Sequence, residues 1–300
     1  MKQLIAVDWG TSSLRAALLD DRGRVLEETA SERGTLSVAP GEFSAVLQST
    51  CGHWMTAENK VLMSGMVGSR QGWMEAPYCP CPAGFSDIAA RLTWINLDDD
   101  NRAAIVPGLQ CEWHGIPDVM RGEETQVFGA LDLLGLTEGL FVLPGTHSKW
   151  VRVTRGRIDG FSTFMTGEFY ALLRQHSILA RTLPPIDGEL DDAVFGQGVQ
   201  QARHCGNLMQ AAFSARTLAL FDRLPAAALP SYLSGLVIGD ELHAQSLQGI
   251  TQPVFIIGVE ALTRRYEIGL AAFGIASRSI GTEATWRGLW ALAQHLDKTS

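Results

Sequence analysis

Two stretches of this chain share one layout: a short apolar run, a turn of glycine and hydroxyl residues, a second run and a further reversal. The first copy spans residues 4–29, and the second begins at Leu140 and reaches its reversal at Arg155-Gly156. Short apolar runs that end in small polar residues are typical of buried strands. Because the second run of each copy leaves directly from the turn, we predict that both turns join paired antiparallel strands.

Each turn has the composition of a phosphate-binding loop. Glycine has no side chain to keep a phosphate oxygen away from backbone N–H groups, and nearby hydroxyls add donors. Either turn alone is more typical of an ordinary hairpin. Two turns with the same arrangement of flanking strands favour a pair of opposed phosphate-binding loops. The predicted phosphate-binding residues are Gly10, Thr11 and Ser12 in the first turn and Gly145, Thr146, His147, Ser148 and Lys149 in the second.

Asp8 ends the first apolar run, directly before the first turn. A carboxylate is poorly suited to touching a phosphate, but its hard oxygens suit Mg²⁺ held through water between phosphates. We therefore predict that Asp8 has a catalytic role and holds the Mg²⁺ ion. By contrast, Cys79-Pro80-Cys81 has no second cysteine pair nearby, which is weak evidence for zinc.

Charge and cysteine content narrow the class of protein. A net charge of −8 argues against a nucleic-acid or anionic-membrane surface. Five irregularly spaced cysteines do not form the pattern of a secreted disulfide framework. The chain opens into a strand instead of a signal peptide, and no apolar run has the length of about 18 residues that a membrane span needs. We expect a soluble cytoplasmic protein, and the sequence leaves a homodimer open.

The length of the chain favours two lobes of α/β architecture. Three hundred residues, 46% of them hydrophobic, exceed one usual core. Helical spacing alternates with short apolar runs such as Val254 to Ile257, as in α/β proteins. We predict an N-terminal lobe of residues 1–136 and a C-terminal lobe of residues 137–300. The predicted helices cover residues 42–54, 123–134, 168–180, 199–224 and 282–296.

Five stretches carry a resemblance to known proteins. LIAVDWGTSSLRAALLD, residues 4–20, is similar to the first phosphate motif of the sugar kinase, Hsp70 and actin superfamily. More specific stretches resemble the 2-dehydro-3-deoxygalactonokinase family, nearly from end to end of the chain. They are LMSGMVGSRQGWMEAPYCPCPAG (62–84), MRGEETQVFGAL (120–131), LPGTHSKWVRV (143–153) and FMTGEFYALLRQHSIL (164–179).

The resemblance implies a fold and a reaction. It implies two similar lobes of the actin-like ATPase (ribonuclease H-like) type that face each other across an ATP cleft, with the last helix returning to the first lobe. The family uses ATP and Mg²⁺ to phosphorylate the 6-hydroxyl of 2-dehydro-3-deoxygalactonate, which gives 2-dehydro-3-deoxy-6-phosphogalactonate in galactonate catabolism. The preference for the galacto over the gluco acid rests on the resemblance alone.

Phosphoryl transfer to an alcohol needs a carboxylate that accepts the hydroxyl proton. Glu123 and Glu124 open a predicted helix, where the helix dipole favours an ionised carboxylate. Related sugar kinases have a Gly-Asp-Gln motif at a similar place, whereas this chain has Gly122-Glu123-Glu124. The choice of base between Glu123 and Glu124 therefore stays open, and helix capping is the alternative role of both.

Two segments are candidates for binding the sugar acid. The glycine-rich loop 65–72 carries Ser69, Arg70 and Gln71, and an arginine can bind a carboxylate through two parallel hydrogen bonds. Thr166 and Glu168 lie where a strand meets a helix, and their polar groups could meet substrate hydroxyls or cap the helix. Gly258, after an apolar strand, would let the adenosine of ATP lie close to the backbone.

Two other functions fit the same residues. Substrate choice depends on few side chains, so a kinase for another sugar or sugar acid is one alternative. A non-catalytic binding protein that is switched by ATP is the other. Acceptor-dependent ADP release separates all three.

Overall fold

The computed structural model describes residues 3–97, 101–245, 247 and 249–299. The chain divides into two compact units. The first unit comprises Met1–Glu138, Val151–Ser162 and Thr282–Ser300, and the second comprises Gly139–Trp150 and Thr163–Gly281. Within the described part of the chain, every helix is too short or too polar to cross a membrane.

The first copy of the repeated layout lies in a six-stranded sheet. Its strands are β1 (Leu4–Trp9), β2 (Leu14–Leu19), β3 (Val25–Ser31), β4 (Lys60–Ser64), β6 (Thr93–Asn96) and β7 (Arg102–Ile105), in the order β3-β2-β1-β4-β7-β6. β1 pairs antiparallel with β2, as predicted, and parallel with β4. The side chains of β1 are almost all buried, because the sheet is covered on both faces. β5 (Cys79–Pro80), β8 (Leu109–Trp113) and β9 (Ile116–Met120) form a small separate sheet.

The second copy lies in a five-stranded sheet with a related order. Its strands are β10 (Gly139–Leu143), β11 (Ser148–Thr154), β12 (Arg157–Phe164), β13 (Val254–Ile257) and β14 (Ser277–Ile280), in the order β12-β11-β10-β13-β14. β13 is parallel to β10 and β14 is parallel to β13. In each sheet the third, second and first strands of the copy are followed by a parallel strand from later in the chain. The repetition in the sequence is therefore a repetition of topology.

Nine α-helices lie in the described residues. They are α1 (Phe43–Cys51), α2 (Phe85–Ala89), α3 (Glu123–Leu134), α4 (Thr166–His176), α5 (Asp192–Cys205), α6 (Leu208–Leu220), α7 (Leu229–Ala244), α8 (Glu260–Ala272) and α9 (Glu283–Thr299). The predictions for α1, α3, α4 and α9 are confirmed within a few residues. In the first unit α9 packs against α3, and in the second α5 packs against α7.

One predicted helix was wrong. The single helix expected over residues 199–224 is two helices, because Gly206 adopts a left-handed conformation with φ of +58° and ends α5. Asn207 then starts α6, since its side chain accepts hydrogen bonds from the backbone N–H groups of Met209 and Gln210 at 3.0 and 3.3 Å. The sequence analysis also missed α7, which is buried on nearly all sides and so lacks the polar stripe of an amphipathic helix.

Candidate active site

Asp8 lies in β1 and forms an ion pair that the sequence analysis did not anticipate. Its Oδ2 accepts a hydrogen bond from Arg15 Nη2 at 2.5 Å, and the two side chains are 21% and 36% exposed. Arg15 faces Asp8 directly across the β1–β2 pair. The antiparallel register therefore holds the Asp8 carboxylate in place while leaving it accessible.

The first turn connects Asp8 to the exposed phosphate-loop candidates. Gly10 N donates to Ser13 O at 2.9 Å, so this N–H group is used inside the turn. The side chains of Thr11 and Ser12 are exposed. The donors that this turn can offer to an anion therefore belong to Thr11 and Ser12 more than to Gly10.

Two glycines allow the strand that carries Asp8 to approach the turn before α3. Gly65 follows β4 with φ of +97°, and a Cβ there would lie 2.8 Å from Trp9 O and 3.4 Å from Asp8 Oδ1. Gly122 has φ of +104°, and its Cβ would lie 3.3 Å from Gly65 Cα. Any side chain at these positions would be strained and crowded. The close packing brings Asp8 and the Glu123 turn to one edge of the six-stranded sheet.

Glu123 and Glu124 occupy different environments at the start of α3. The Glu124 side chain is fully buried, and its two oxygens accept from Gly122 N at 2.7 Å and Thr125 Oγ1 at 3.1 Å. Burial and the neighbouring Glu123 charge raise the pKa of Glu124 to about 8. Glu123 is partly exposed, and its Oε2 accepts from Arg121 N at 2.9 Å. Of the two carboxyl groups, only that of Glu123 is accessible to a hydroxyl substrate.

The loop 65–72 places its three predicted substrate residues in different surroundings. Arg70 is 85% exposed and pairs with Glu75 Oε1 at 2.9 Å, and Gln71 is also exposed. Ser69 Oγ is buried and has no hydrogen-bond partner among the described residues. The sequence analysis did not consider Arg121, which donates from Nη2 to Ala76 O at 2.8 Å and so contacts the segment that follows this loop.

The second turn packs against the first residues of α4. Glu168 N donates to Thr146 O at 3.0 Å, and a Cβ on Gly167 would lie only 2.5 Å from Gly145 O. His147 Nε2 and Glu168 Oε2 are 2.5 Å apart. Lys149 is 5% exposed, and its Nζ donates to His147 O at 3.3 Å. Thr166 and Glu168, predicted as substrate residues, thus lie beside the second turn in the second unit.

A buried carboxylate that the sequence analysis missed supports this turn. Glu241, on α7, accepts hydrogen bonds from Ser148 Oγ at 2.8 Å, Trp150 Nε1 at 2.6 Å and Tyr266 OH at 2.7 Å, and also from Thr166 Oγ1. Burial raises the pKa of Glu241, whereas these donors favour its charged form. The hydroxyls of Ser148 and Thr166 are thereby engaged in the framework of the site.

A cavity of about 200 Å³ opens beside the second turn. The turn contributes Pro144 and Gly145 to it, the loop before α5 contributes Asp187, and three helices provide the remaining walls. The helical lining residues are Thr166, Gly167 and Tyr170 of α4, Ser234, Val237 and Ile238 of α7, and Leu262, Arg265 and Tyr266 of α8. Gly258 lies next to the turn, since a Cβ there would be 3.9 Å from Pro144 Cδ. The cavity has the mixture of apolar walls and a few polar groups that small-molecule sites share.

The donor set around Asp8 fits a hydrated Mg²⁺. This ion retains several waters and needs only one or two protein carboxylates together with phosphate oxygens. Asp8 is a hard, partly exposed carboxylate beside a turn of hydroxyl residues. Within the described ranges, no three acidic, histidine or cysteine side chains are grouped as direct metal ligands.

The strand order and the paired turns define the class of protein as one with the actin-like ATPase fold. The solved activator of 2-hydroxyisocaproyl-CoA dehydratase from Clostridium difficile, with bound ADPNP, has this fold. It aligns with a TM-score of 0.51 and 11% identity over 99% of this chain and 95% of its own.

The family is defined by sequence. The model of the 2-keto-3-deoxy-galactonokinase family matches residues 8–292, and this chain belongs to that family. A relative from Rhizobium meliloti named as a 2-dehydro-3-deoxygalactonokinase is 37% identical, over 96% of this chain and 97% of the relative. The 2-dehydro-3-deoxygalactonokinase of Escherichia coli is 36% identical over 90% of each chain. A crystal structure under the same name from Sinorhizobium meliloti superposes with a TM-score of 0.90, 36% identity and 99% coverage of both chains.

Proposed function

We propose that this chain is an ATP-dependent kinase that phosphorylates the 6-hydroxyl of 2-dehydro-3-deoxy-D-galactonate in galactonate catabolism. The family match over residues 8–292 supports the substrate class. The observation that carries the chemistry is the convergence of Asp8 and Glu123 at one sheet edge through Gly65 and Gly122. Phosphoryl transfer needs such a pairing of a metal residue with a proton acceptor.

Glu123 is the proposed base. Its carboxylate takes the proton of the 6-hydroxyl as the oxygen forms a bond to the γ-phosphorus of ATP, and the bond from that phosphorus to ADP breaks. Glu124 positions this turn, because its buried carboxyl group holds Gly122 N and Thr125 Oγ1. Asp8 is the residue that would hold Mg²⁺ through water, and the ion would supply neutralisation of phosphate charge.

Each turn is proposed as a phosphate-binding loop. Thr11 and Ser12 would donate to phosphate in the first turn, and the second turn would do so through Gly145, Thr146 and His147. Lys149, nearly buried beside His147, would supply positive charge there. The cavity beside the second turn suits adenosine, because Val237, Ile238 and Leu262 offer apolar contact and Gly258 leaves the backbone near Pro144 open. We place the reaction in the cytoplasm, and a homodimer stays an open alternative to a monomer.

Acceptor-dependent ADP release by the purified protein tests this proposal. With Mg-ATP, we expect ADP release only when the sugar acid is present, and Asp8→Asn should lower the rate by about 10²-fold or more. Asp21→Asn is the control, because Asp21 is an exposed acid in the β2–β3 turn. ATP binding without turnover in the presence of any sugar or sugar acid would favour the ATP-switched binding protein instead.

A further inference from the structure

Arg121 has buried hydrogen-bond donors that lack acceptors. Its Nη2 donates to Ala76 O at 2.8 Å, and the guanidinium stacks 4.4 Å above the centre of the Tyr78 ring. Nε and Nη1 are buried, and neither has a partner among the described residues. The side chain is thus held by the Tyr78 ring on one face and by one hydrogen bond from Nη2, and its other two nitrogens donate to no described residue.

Such an arrangement is unfavourable unless an acceptor binds. A buried donor without a partner destabilises the folded protein, and more so when the group is charged. Guanidinium groups are retained in buried sites where they recognise carboxylates or phosphates. The two unused nitrogens of Arg121 therefore indicate an anionic group that is absent from the described residues.

The surroundings of Arg121 join this donor to the substrate loop. A Cβ on Gly68 would lie 2.8 Å from Arg121 Nη1, so the loop backbone packs against the guanidinium. The next residue, Ser69, contributes another buried hydroxyl without a partner. On its other side, Arg121 N donates to Glu123 Oε2, which ties the same residue to the proposed base.

We propose that Arg121, assisted by Ser69, binds the carboxylate of the sugar acid; this inference rests on the proposed kinase function. Arg70 is less suited to that task, because it is 85% exposed and already paired with Glu75. Water weakens an exposed ion pair, whereas a shielded guanidinium discriminates strongly between an acid and a neutral analogue.

Access to Arg121 requires movement of its cover. Gly68, the last residue of a single 3₁₀ turn (Met66–Gly68), packs against Nη1. The unpartnered donors make the covered state less favourable, which lowers the free energy of opening this loop. Binding of the carboxylate then supplies the missing acceptors.

The test compares the sugar acid with its primary amide in the wild type, Arg121→Met and Arg121→Lys. The measured quantity is the ratio of kcat/KM for the acid to kcat/KM for the amide, which does not depend on the fraction of active enzyme. We expect the wild type to prefer the acid by about 10- to 100-fold. In Arg121→Met the ratio should fall towards one, with KM for ATP within about threefold of the wild-type value. Arg121→Lys, which keeps the charge, should retain part of the preference.

Arg102→Met is the matched control. Arg102 also stacks on an aromatic ring, at 4.8 Å from the centre of Trp94, but it is exposed in β7. This variant should leave the ratio unchanged. An unchanged ratio in both Arg121 variants would overturn the inference and make Arg121 a structural residue whose donors bind water. Absence of turnover of either compound by the wild type would refute the proposed function as well, which distinguishes the two failures.

Discussion

Adjacent carboxyl groups at the start of α3 illustrate how the environment separates two roles. Burial and the neighbouring Glu123 charge raise the pKa of Glu124 to about 8, although its two hydrogen-bond donors favour the charged form. Glu123 shares the favourable helix N-terminus but is partly exposed. An accessible residue can meet a substrate hydroxyl, whereas a buried one can only shape the turn. The two positions therefore differ in function despite the same side chain.

Kinetics of Glu123→Gln and Glu124→Gln should separate these roles. Loss of a general base lowers kcat by about 10²- to 10⁴-fold, and we expect this for Glu123→Gln. Glu124→Gln keeps the shape of a neutral carboxyl group and should reduce kcat by less than about tenfold. The measurement is kcat at saturating ATP and sugar acid. A larger loss of kcat in Glu124→Gln than in Glu123→Gln would assign the base to Glu124.

The raised pKa of Glu124 predicts a pH dependence of stability. The folded protein holds the Glu124 proton to a pKa of about 8, whereas the unfolded chain releases it near 4.5. Unfolding therefore releases a proton between these pH values, so this contribution to stability is complete below 4.5 and is lost as pH rises towards 8. The loss amounts to at most about 1.4 kcal/mol per pH unit.

Urea unfolding of the wild type and Glu124→Gln across this pH range checks the sign. The difference in free energy of unfolding, wild type minus variant, should decrease steadily with pH, because glutamine does not titrate. Parallel pH profiles for the two proteins would show that Glu124 is ionised in the folded state.

At the residue scale, the sequence indicated which side chains could take part in the chemistry better than it indicated their hydrogen-bond partners. Glycine and hydroxyl residues after a strand identified both turns, and two acids at a helix start identified α3. Glu241 could not be found in this way, because its donors lie 25 to 93 residues away in the chain. Arg121 was missed for a similar reason. Only the folded structure shows that two of its buried nitrogens have no hydrogen-bond acceptor among the described residues.

At the scale of helices and strands, Glu241 fixes the second turn by joining four elements. Its carboxylate links α7 to β11, α4 and α8 through the four side-chain donors described above. Glutamine would place an NH₂ group against donors, leaving at least one buried group unpaired. Glu241→Gln should therefore destabilise the protein by about 1–3 kcal/mol and raise KM for ATP more than KM for the sugar acid.

Glu189→Gln provides the control for Glu241→Gln, since Glu189 is an exposed acid of the same unit. Thermal unfolding and the two KM values are measured for each variant. Equal changes in both KM values would argue against a specific link between Glu241 and the ATP side of the site.

The crossing of α3 and α9 gives a prediction for stability alone. A Cβ on Gly129 would lie 1.8 Å from Ala284 O, and one on Gly288 would lie 1.9 Å from Thr125 O. Gly129→Ala should therefore cost about 1–3 kcal/mol or more through overpacking. Gly196→Ala is the matched control in α5, where no atom lies within 4 Å of the added Cβ.

Chemical unfolding distinguishes the two helical glycines. Gly196→Ala should stabilise the protein by up to about 1 kcal/mol, because alanine favours the helix. Stability of Gly129→Ala equal to that of Gly196→Ala would contradict the close crossing of α3 and α9.

Elements were predictable where local signals were strong. The hairpins of both copies follow from apolar runs and turn residues, and α3 was located to its end residues. Gly206-Asn207 is a local signal for the division of residues 199–224 into two helices. The sequence analysis followed the helical periodicity of the apolar residues instead and predicted one helix. α7 depends on tertiary burial, and the small sheet of β5, β8 and β9 depends on strand pairing, so no local sequence pattern predicted them.

At the scale of the whole molecule, one topology is used twice with different chemistry. The strand orders β3-β2-β1-β4-β7 and β12-β11-β10-β13-β14 correspond position by position. The first unit carries the acidic residues Asp8 and Glu123, and the second carries the Glu241 network and the cavity. The duplicated strand order thus carries different side chains in each unit.

The most direct test of the proposed function is kcat/KM with Mg-ATP for 2-dehydro-3-deoxygalactonate, 2-dehydro-3-deoxygluconate and a neutral hexose. We expect the galacto acid to give the highest value and the neutral hexose to be lower by about 10²-fold or more, because the site would lose its charged contact. A neutral hexose that is phosphorylated as efficiently as the galacto acid would contradict the account.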